Sequence, residues 1–118
     1  MRIYVAHRRS PDYKKSLYEP LREAFGEAHE LILPLDTTDE QFSAKTAIPR
    51  CDLVIAEVSQ PSTGVGIELG WADSEHIRIV AIHRKDDTPS DAVQKVAHSI
   101  IAYKDSEDLI SQLQEALK

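Results

Sequence analysis

A chain of 118 residues fits one domain, so residues 1–118 read as a single unit. With 42% hydrophobic and 29% charged residues it can bury a core, which excludes a disordered chain. A formal net charge of −6 argues against gripping a nucleic-acid backbone, no apolar run approaches the ~20 residues of a membrane span, and the single cysteine, Cys51, excludes an internal disulfide. The N-terminus also lacks a signal-peptide layout, so the expectation is a cytoplasmic protein with neither nucleic-acid nor membrane partners.

Apolar runs and amphipathic runs alternate along the chain. Ile3 to Ala6 reads as a first strand. Asp12 to Phe25 reads as a helix, with Leu17, Leu21, Ala24 and Phe25 at helical spacing and Pro20 expected to kink or restart it. Leu31 to Leu33 is a short second strand. Thr38 to Ile48 is read as a second helix, capped by Thr37 or Thr38 and closed by Pro49. Asp52 to Val58 is a third strand, apolar on both faces until Glu57. Gly66 to Glu75 follows as a third helix and Ile77 to His83 as a fourth strand. Ser90 caps a short helix to Ala97, Ser99 to Tyr103 is a fifth strand, and Ser106 to Leu117 is a last helix.

Strands alternating with helices imply right-handed crossovers and a parallel sheet. The near-continuous apolar third and fourth strands fit a sheet covered on both faces. The fold class is therefore α/β: a doubly wound, five-stranded parallel sheet of order 2-1-3-4-5 in a three-layer sandwich. That order puts the switch point between strands one and three, where ligands bind outside the carboxyl ends. The rule selects two loops, His7 to Asp12 and Ser59 to Gly66.

Three of the four glycines, Gly64, Gly66 and Gly70, fall within seven residues after the third strand. Ser62, Thr63 and the N–H groups of the following helix make an anion cradle at the same place. The bland reading of the glycines is a tight turn, with Gly70 allowing close helix–sheet packing. The spacing Gly-x-Gly-x-x-x-Gly is not the dinucleotide fingerprint, and no Gly-Lys-Ser/Thr ending is present. Glu68 is expected in the first helical turn, where the helix dipole favours a carboxylate. At the mouth of a switch-point crevice, such a carboxylate can also attack a sugar carbon.

The segment Cys51 to Gly70, CDLVIAEVSQPSTGVGIELG, resembles the central motif of the 2′-deoxynucleoside 5′-phosphate N-hydrolases of the nucleoside 2-deoxyribosyltransferase superfamily. The opening RIYVA is similar to that family's first strand. The resemblance implies a flavodoxin-like fold, a homodimer, and cleavage of an N-glycosidic bond through a covalent glycosyl–glutamate intermediate. It implies a small nucleotide as partner and no cofactor. Position by position, Glu68 matches the nucleophile, Ser62 and Gly64 the loop that holds a 5′-phosphate, and Tyr4 a tyrosine near the sugar. Gly66 belongs to the same cradle. Ser90 matches a serine that reaches the phosphate from a partner subunit, although Asp91 beside it opposes an anion. Arg8 and Arg9 fall where the family has a Gly- and Arg-containing phosphate loop, without its glycines.

One departure concerns the family's catalytic aspartate, eight residues before the position of Asp52. Ala44 stands there. Two substitutes are available. His7 at the end of the first strand could protonate a leaving base. Glu40, one turn before Ala44 on its helix, is the other, with a solvated helix-end residue as its plainer reading. The histidines show no metal spacing. Cys51 reads as a packing residue and Trp71 as a core or dimer-face residue. The functional expectation is an N-glycosidase acting on (deoxy)nucleoside 5′-monophosphates. The alternatives are a deoxyribosyltransferase and a nucleotide-binding module that has lost turnover.

Overall fold

The alternating apolar runs become five parallel strands of one sheet: β1 (Arg2–His7), β2 (Glu30–Ile32), β3 (Leu53–Glu57), β4 (Arg78–Arg84) and β5 (Ser99–Tyr103). Their order is β2-β1-β3-β4-β5, as read from the sequence. The computed structural model describes residues 1–36 and 43–118. Of the expected helix 38–48, the described part is α2 (Ala44–Ala47), running into a 3₁₀ turn at Ile48–Arg50 that Pro49 helps to tighten. The other helices are α1 (Glu19–Phe25), α3 (Thr63–Ser74), α4 (Asp91–Val96) and α5 (Ser106–Ala116). No helix among the described residues is long and apolar enough to cross a membrane.

Strand alternation sorts the core into two layers. Ile3, Val5, Leu53, Ile55, Val80 and Ile82 meet Leu17, Leu21, Phe25, Leu109 and Leu113 on the side of α1 and α5. Tyr4, Ala6, Val54, Ala56, Ile79 and Ala81 meet Val65, Leu69 and Ala72 on the side of α3. Ala6, Ala56 and Ala81 lie in register across three strands, so the α3 side of the sheet is lined with methyl groups just before its carboxyl edge.

Pro20 does restart its helix. A π-helical turn at Lys14–Tyr18 precedes α1, and the Glu19 N–H closes it on the Lys14 carbonyl. Proline has no N–H to offer to the carbonyl four residues back, and the restart begins just before it. Local caps hold other helices: Ser62 accepts the Val65 N–H, Ser90 the Val93 N–H and Asp105 the Asp108 N–H.

Candidate active site

The glycine segment differs from its expected form. α3 begins at Thr63, three residues earlier than the periodicity suggests, because Ser62 is an N-cap whose Oγ accepts the Val65 N–H at 3.3 Å. Gly64 and Gly66 are thus helical, and Glu68 lies in the second turn, beyond the strongest reach of the helix dipole. No glycine adopts a positive φ. A Cβ on Gly66 or Gly70 would meet nothing within 4 Å, and one on Gly64 only the Ser62 Oγ at 3.9 Å. Neither a tight turn nor close helix–sheet packing at Gly70 explains these glycines. They leave α3 without side chains on two flanks: Gly66 and Gly70 beside the cleft toward α4, and Gly64 on the other. The Ser62 side chain and carbonyl take the Val65 and Gly66 N–H groups, which leaves those of Thr63 and Gly64 as the outward-facing donors of the first turn.

Glu68 stands four residues after Gly64, one helical turn (about 5.4 Å) further along the same side. Its carboxyl is half-buried, and Oε2 is buried without a hydrogen-bond partner. The Tyr4 hydroxyl, on the α3 side of β1, is in hydrogen-bonding contact with that carboxylate. Burial pushes the Glu68 carboxyl above the usual carboxylate range, and the Tyr4 hydrogen bond partly offsets this. Burial and the neighbouring carboxylate both push the Tyr4 phenol far up, so it stays a hydrogen-bond donor.

The remaining residues fall in two clefts. Ser62, Gly66 and Ser90 line one of about 390 Å³ between α3 and α4. Ser90 therefore shares a cleft with Ser62 within a single chain. Arg8 lines a second cleft of about 410 Å³ with His7, Asp12, Glu57 and Arg84. Gln60 borders both clefts, and Arg9 is exposed beside the second. Glu40 lies outside the described residues. Ala44 is the first residue of α2, half-buried against the α3-side core.

The structure does not bring His7 to Glu68. Tyr4 and His7 are three residues apart on one strand and face opposite sides of the sheet. His7 Nε2 is 2.6 Å from the Tyr18 hydroxyl and Nδ1 is 2.9 Å from the Arg8 carbonyl oxygen.

A second carboxylate was not singled out by sequence reasoning. Glu57, at the end of β3, accepts the Ser59 N–H at 2.7 Å, the Ser59 hydroxyl at 3.1 Å and the Tyr103 hydroxyl. Ser59 Oγ in turn accepts the Arg84 N–H at 2.8 Å. This network ties the ends of β3, β4 and β5 together. Its one sequence signal is the break that Glu57 makes in an apolar strand. Cys51 is buried, donates to the Ala47 carbonyl, and has its thiol pushed up to about 11 by burial, as suits a packing residue. Trp71 is half-buried against the α3-side core. Among the described residues no cluster of metal-ligating side chains occurs.

No family model matches the chain. Two curated proteins match over 36 residues, 30% of this chain. A protein of Syntrophotalea carbinolica assigned as 2′-deoxynucleoside 5′-phosphate N-hydrolase 1 is 50% identical there, and the 5-hydroxymethyl-dUMP N-hydrolase of Branchiostoma floridae 53%. The match spans 25% and 34% of those relatives' own lengths. In fold, the chain is similar to the Clostridium botulinum CMP N-glycosidase BcmB, with TM-score 0.72 and 22% identity over 97% of this chain and 99% of that one. It is also similar to the 2-deoxyribosyltransferase of Bacillus psychrosaccharolyticus, with TM-score 0.70 and 16% identity over 93% and 90%. The resemblance to the N-hydrolases is thus met by local identity, and the fold it implies by the two solved structures.

Proposed function

We propose that this protein hydrolyses the N-glycosidic bond of (deoxy)nucleoside 5′-monophosphates, with Glu68 as nucleophile. The observation that carries the reading is the Glu68 carboxylate: buried at one oxygen, in contact with the Tyr4 hydroxyl, and one turn along α3 from the bare Gly64 N–H. One helical turn is comparable to the span from a nucleotide's phosphorus to its C1′. A phosphate at Ser62 and the Thr63 and Gly64 N–H groups would set C1′ against Glu68. The fold similarity to a CMP N-glycosidase and the local identity to N-hydrolases support the same chemistry.

In the first step a Glu68 oxygen attacks C1′, the C1′–N bond breaks, and its electron pair leaves with the base, which takes up a proton. In the second step water adds to C1′, the ester bond to Glu68 breaks, and the water's proton is lost. Tyr4 holds the carboxylate and accompanies the charge that leaves it. His7 faces the other side of the sheet, which favours Glu40 or solvent over His7 as the proton source. Ser90, which shares the Ser62 cleft within one chain, and Arg8, across Gln60 from it, are the further phosphate contacts.

The test is base release from a panel of ribo- and deoxyribonucleoside 5′-monophosphates, followed chromatographically. Glu68→Ala should abolish it. No release from any of them, with the variant indistinguishable from wild type, overturns the reading. A new nucleoside on adding a second base would make the protein a transferase. Ala44 in place of an acid favours one other reading, a binding module; tight calorimetric binding without turnover would select it.

A further inference from the structure

We propose that His7 is a positioning residue for phosphate binding: clasped by Tyr13 and Tyr18, it sets the loop that carries Arg8 and Arg9. The inference rests on the reading that this loop faces a nucleotide phosphate. It gives His7 a different task from the proton donor that its place at the end of β1 suggests.

The clasp is built from β1, the helix that follows it and the turn after β2. A carbonyl oxygen can only accept, so His7 Nδ1, 2.9 Å from the Arg8 carbonyl, carries the ring proton. In the neutral ring Nε2 is then the acceptor and takes the Tyr18 O–H at 2.6 Å. The Tyr18 oxygen accepts the Leu35 N–H at 3.1 Å, from the 3₁₀ turn Pro34–Asp36. The Tyr13 ring stacks on His7 at 5.1 Å and 27°, and the Tyr18 ring meets it edge-on at 5.0 Å. The π-helical turn makes this possible. Its i→i+5 bonding brings Tyr13 and Tyr18, five residues apart, to one side, with their rings 5.1 Å apart. In an α-helix residues at that spacing diverge.

The clasp fixes the Arg8 carbonyl, and with it the start of the loop. Arg8 lines the cleft that Gln60 joins to the α3 N-terminus, two residues before Ser62. A loop without glycines is thus oriented by side chains. The groups facing His7 are Glu57 from β3, Tyr13 and Tyr18 from the start of the following helix, and Arg8 and Arg9 from its own loop. Asp12, Arg84, Asp87 and Tyr103 line the same cleft. Burial lowers the His7 pKa, opposed by the Arg8 carbonyl and Glu57 and assisted by Arg9. The clasp is therefore neutral at physiological pH. A second proton on Nε2 would face the Tyr18 O–H, whose oxygen already accepts from Leu35.

The experiment uses the whole chain and reads the His7 ring nitrogens by NMR, with inorganic phosphate as the binding probe in calorimetry. Expected for the wild type is the Nδ1–H tautomer, titrating below an ordinary histidine. Tyr18→Phe keeps the ring but removes the O–H that favours neutral His7. It should raise the pH at which His7 takes its second proton, and at pH 7 weaken phosphate binding about tenfold. Where base release is measurable, KM should rise with kcat within about twofold. An Nε2–H tautomer in the wild type overturns the proposal without any variant. So does a Tyr18→Phe protein with wild-type phosphate affinity, or a wild type that binds no phosphate. Phosphate binding lost through Tyr18→Phe in a protein that releases no base would uphold the clasp and defeat only the glycosidase reading.

Discussion

Two carboxylates stand near the carboxyl edge of the sheet, on opposite sides. Glu57, on the α1 and α5 side, accepts three hydrogen bonds from Ser59 and Tyr103 and has no open role. Glu68, on the α3 side, has one buried oxygen with no partner and a pKa raised by burial. Buried polar groups are nearly always satisfied, so a satisfied carboxylate reads as structure. A half-satisfied one, one helical turn from an unpacked glycine, reads as a group held at a cost for its proposed chemistry. The same residue type stands in opposite hydrogen-bonding states here, and that difference sets Glu68 apart as the proposed nucleophile.

The comparison breaks most visibly in turnover. Glu68→Gln should lower kcat for base release by about 10³-fold or more, near 4 kcal/mol of transition-state stabilisation, read by steady-state assay. The same substitution should leave thermal stability at pH 7 unchanged or raised. A carboxyl whose folded pKa is raised contributes stability below its unfolded pKa and loses it as pH rises through the folded value, so at pH 7 the charged form is the less favourable one. Glu57→Ala should do the reverse. It strands the Ser59 N–H and the Ser59 and Tyr103 hydroxyls, and denaturant unfolding should show a loss of about 1–3 kcal/mol.

Acidity sharpens the contrast. A Glu68 nucleophile, as proposed, must be ionised, so kcat should fall as pH drops through a midpoint above the ordinary glutamate range. An acid limb at the ordinary value would mean that the carboxylate opens to water before it reacts. Smaller effects follow from the cap and the phenol. Ser62→Ala should cost about 1 kcal/mol of stability, measured by melting, and raise KM more than it lowers kcat. Tyr103→Phe removes one hydrogen bond to Glu57 and should cost about 1 kcal/mol or less, with base release unchanged.

Much of this was legible because it is local. The two-residue alternation of Ile3–Ala6, the continuous apolar run of β3 and the caps Ser62 and Ser90 are set by neighbours in sequence, and together they yield the parallel sheet and its strand order. Alternation also held a signal that the reading of His7 passed over. Tyr4 and His7 are an odd number of residues apart on one strand, so a histidine there cannot share Tyr4's side of the sheet. Residues 50 apart, such as Arg2 and Asp52, or 46 apart, such as Glu57 and Tyr103, show no such pattern.

The sequence by itself determined the order of elements and where a binding crevice opens, because both follow from periodicity and the handedness of crossovers. It also marked Glu68, through a motif. Only the tertiary structure decided that α3 starts at Thr63, that its glycines are helical and unpacked instead of turning the chain, and that His7 is held by Tyr18 while Glu68 keeps an unpaired oxygen. Each of those depends on which groups from distant segments arrive to satisfy a hydrogen bond, and on which one they leave unmet.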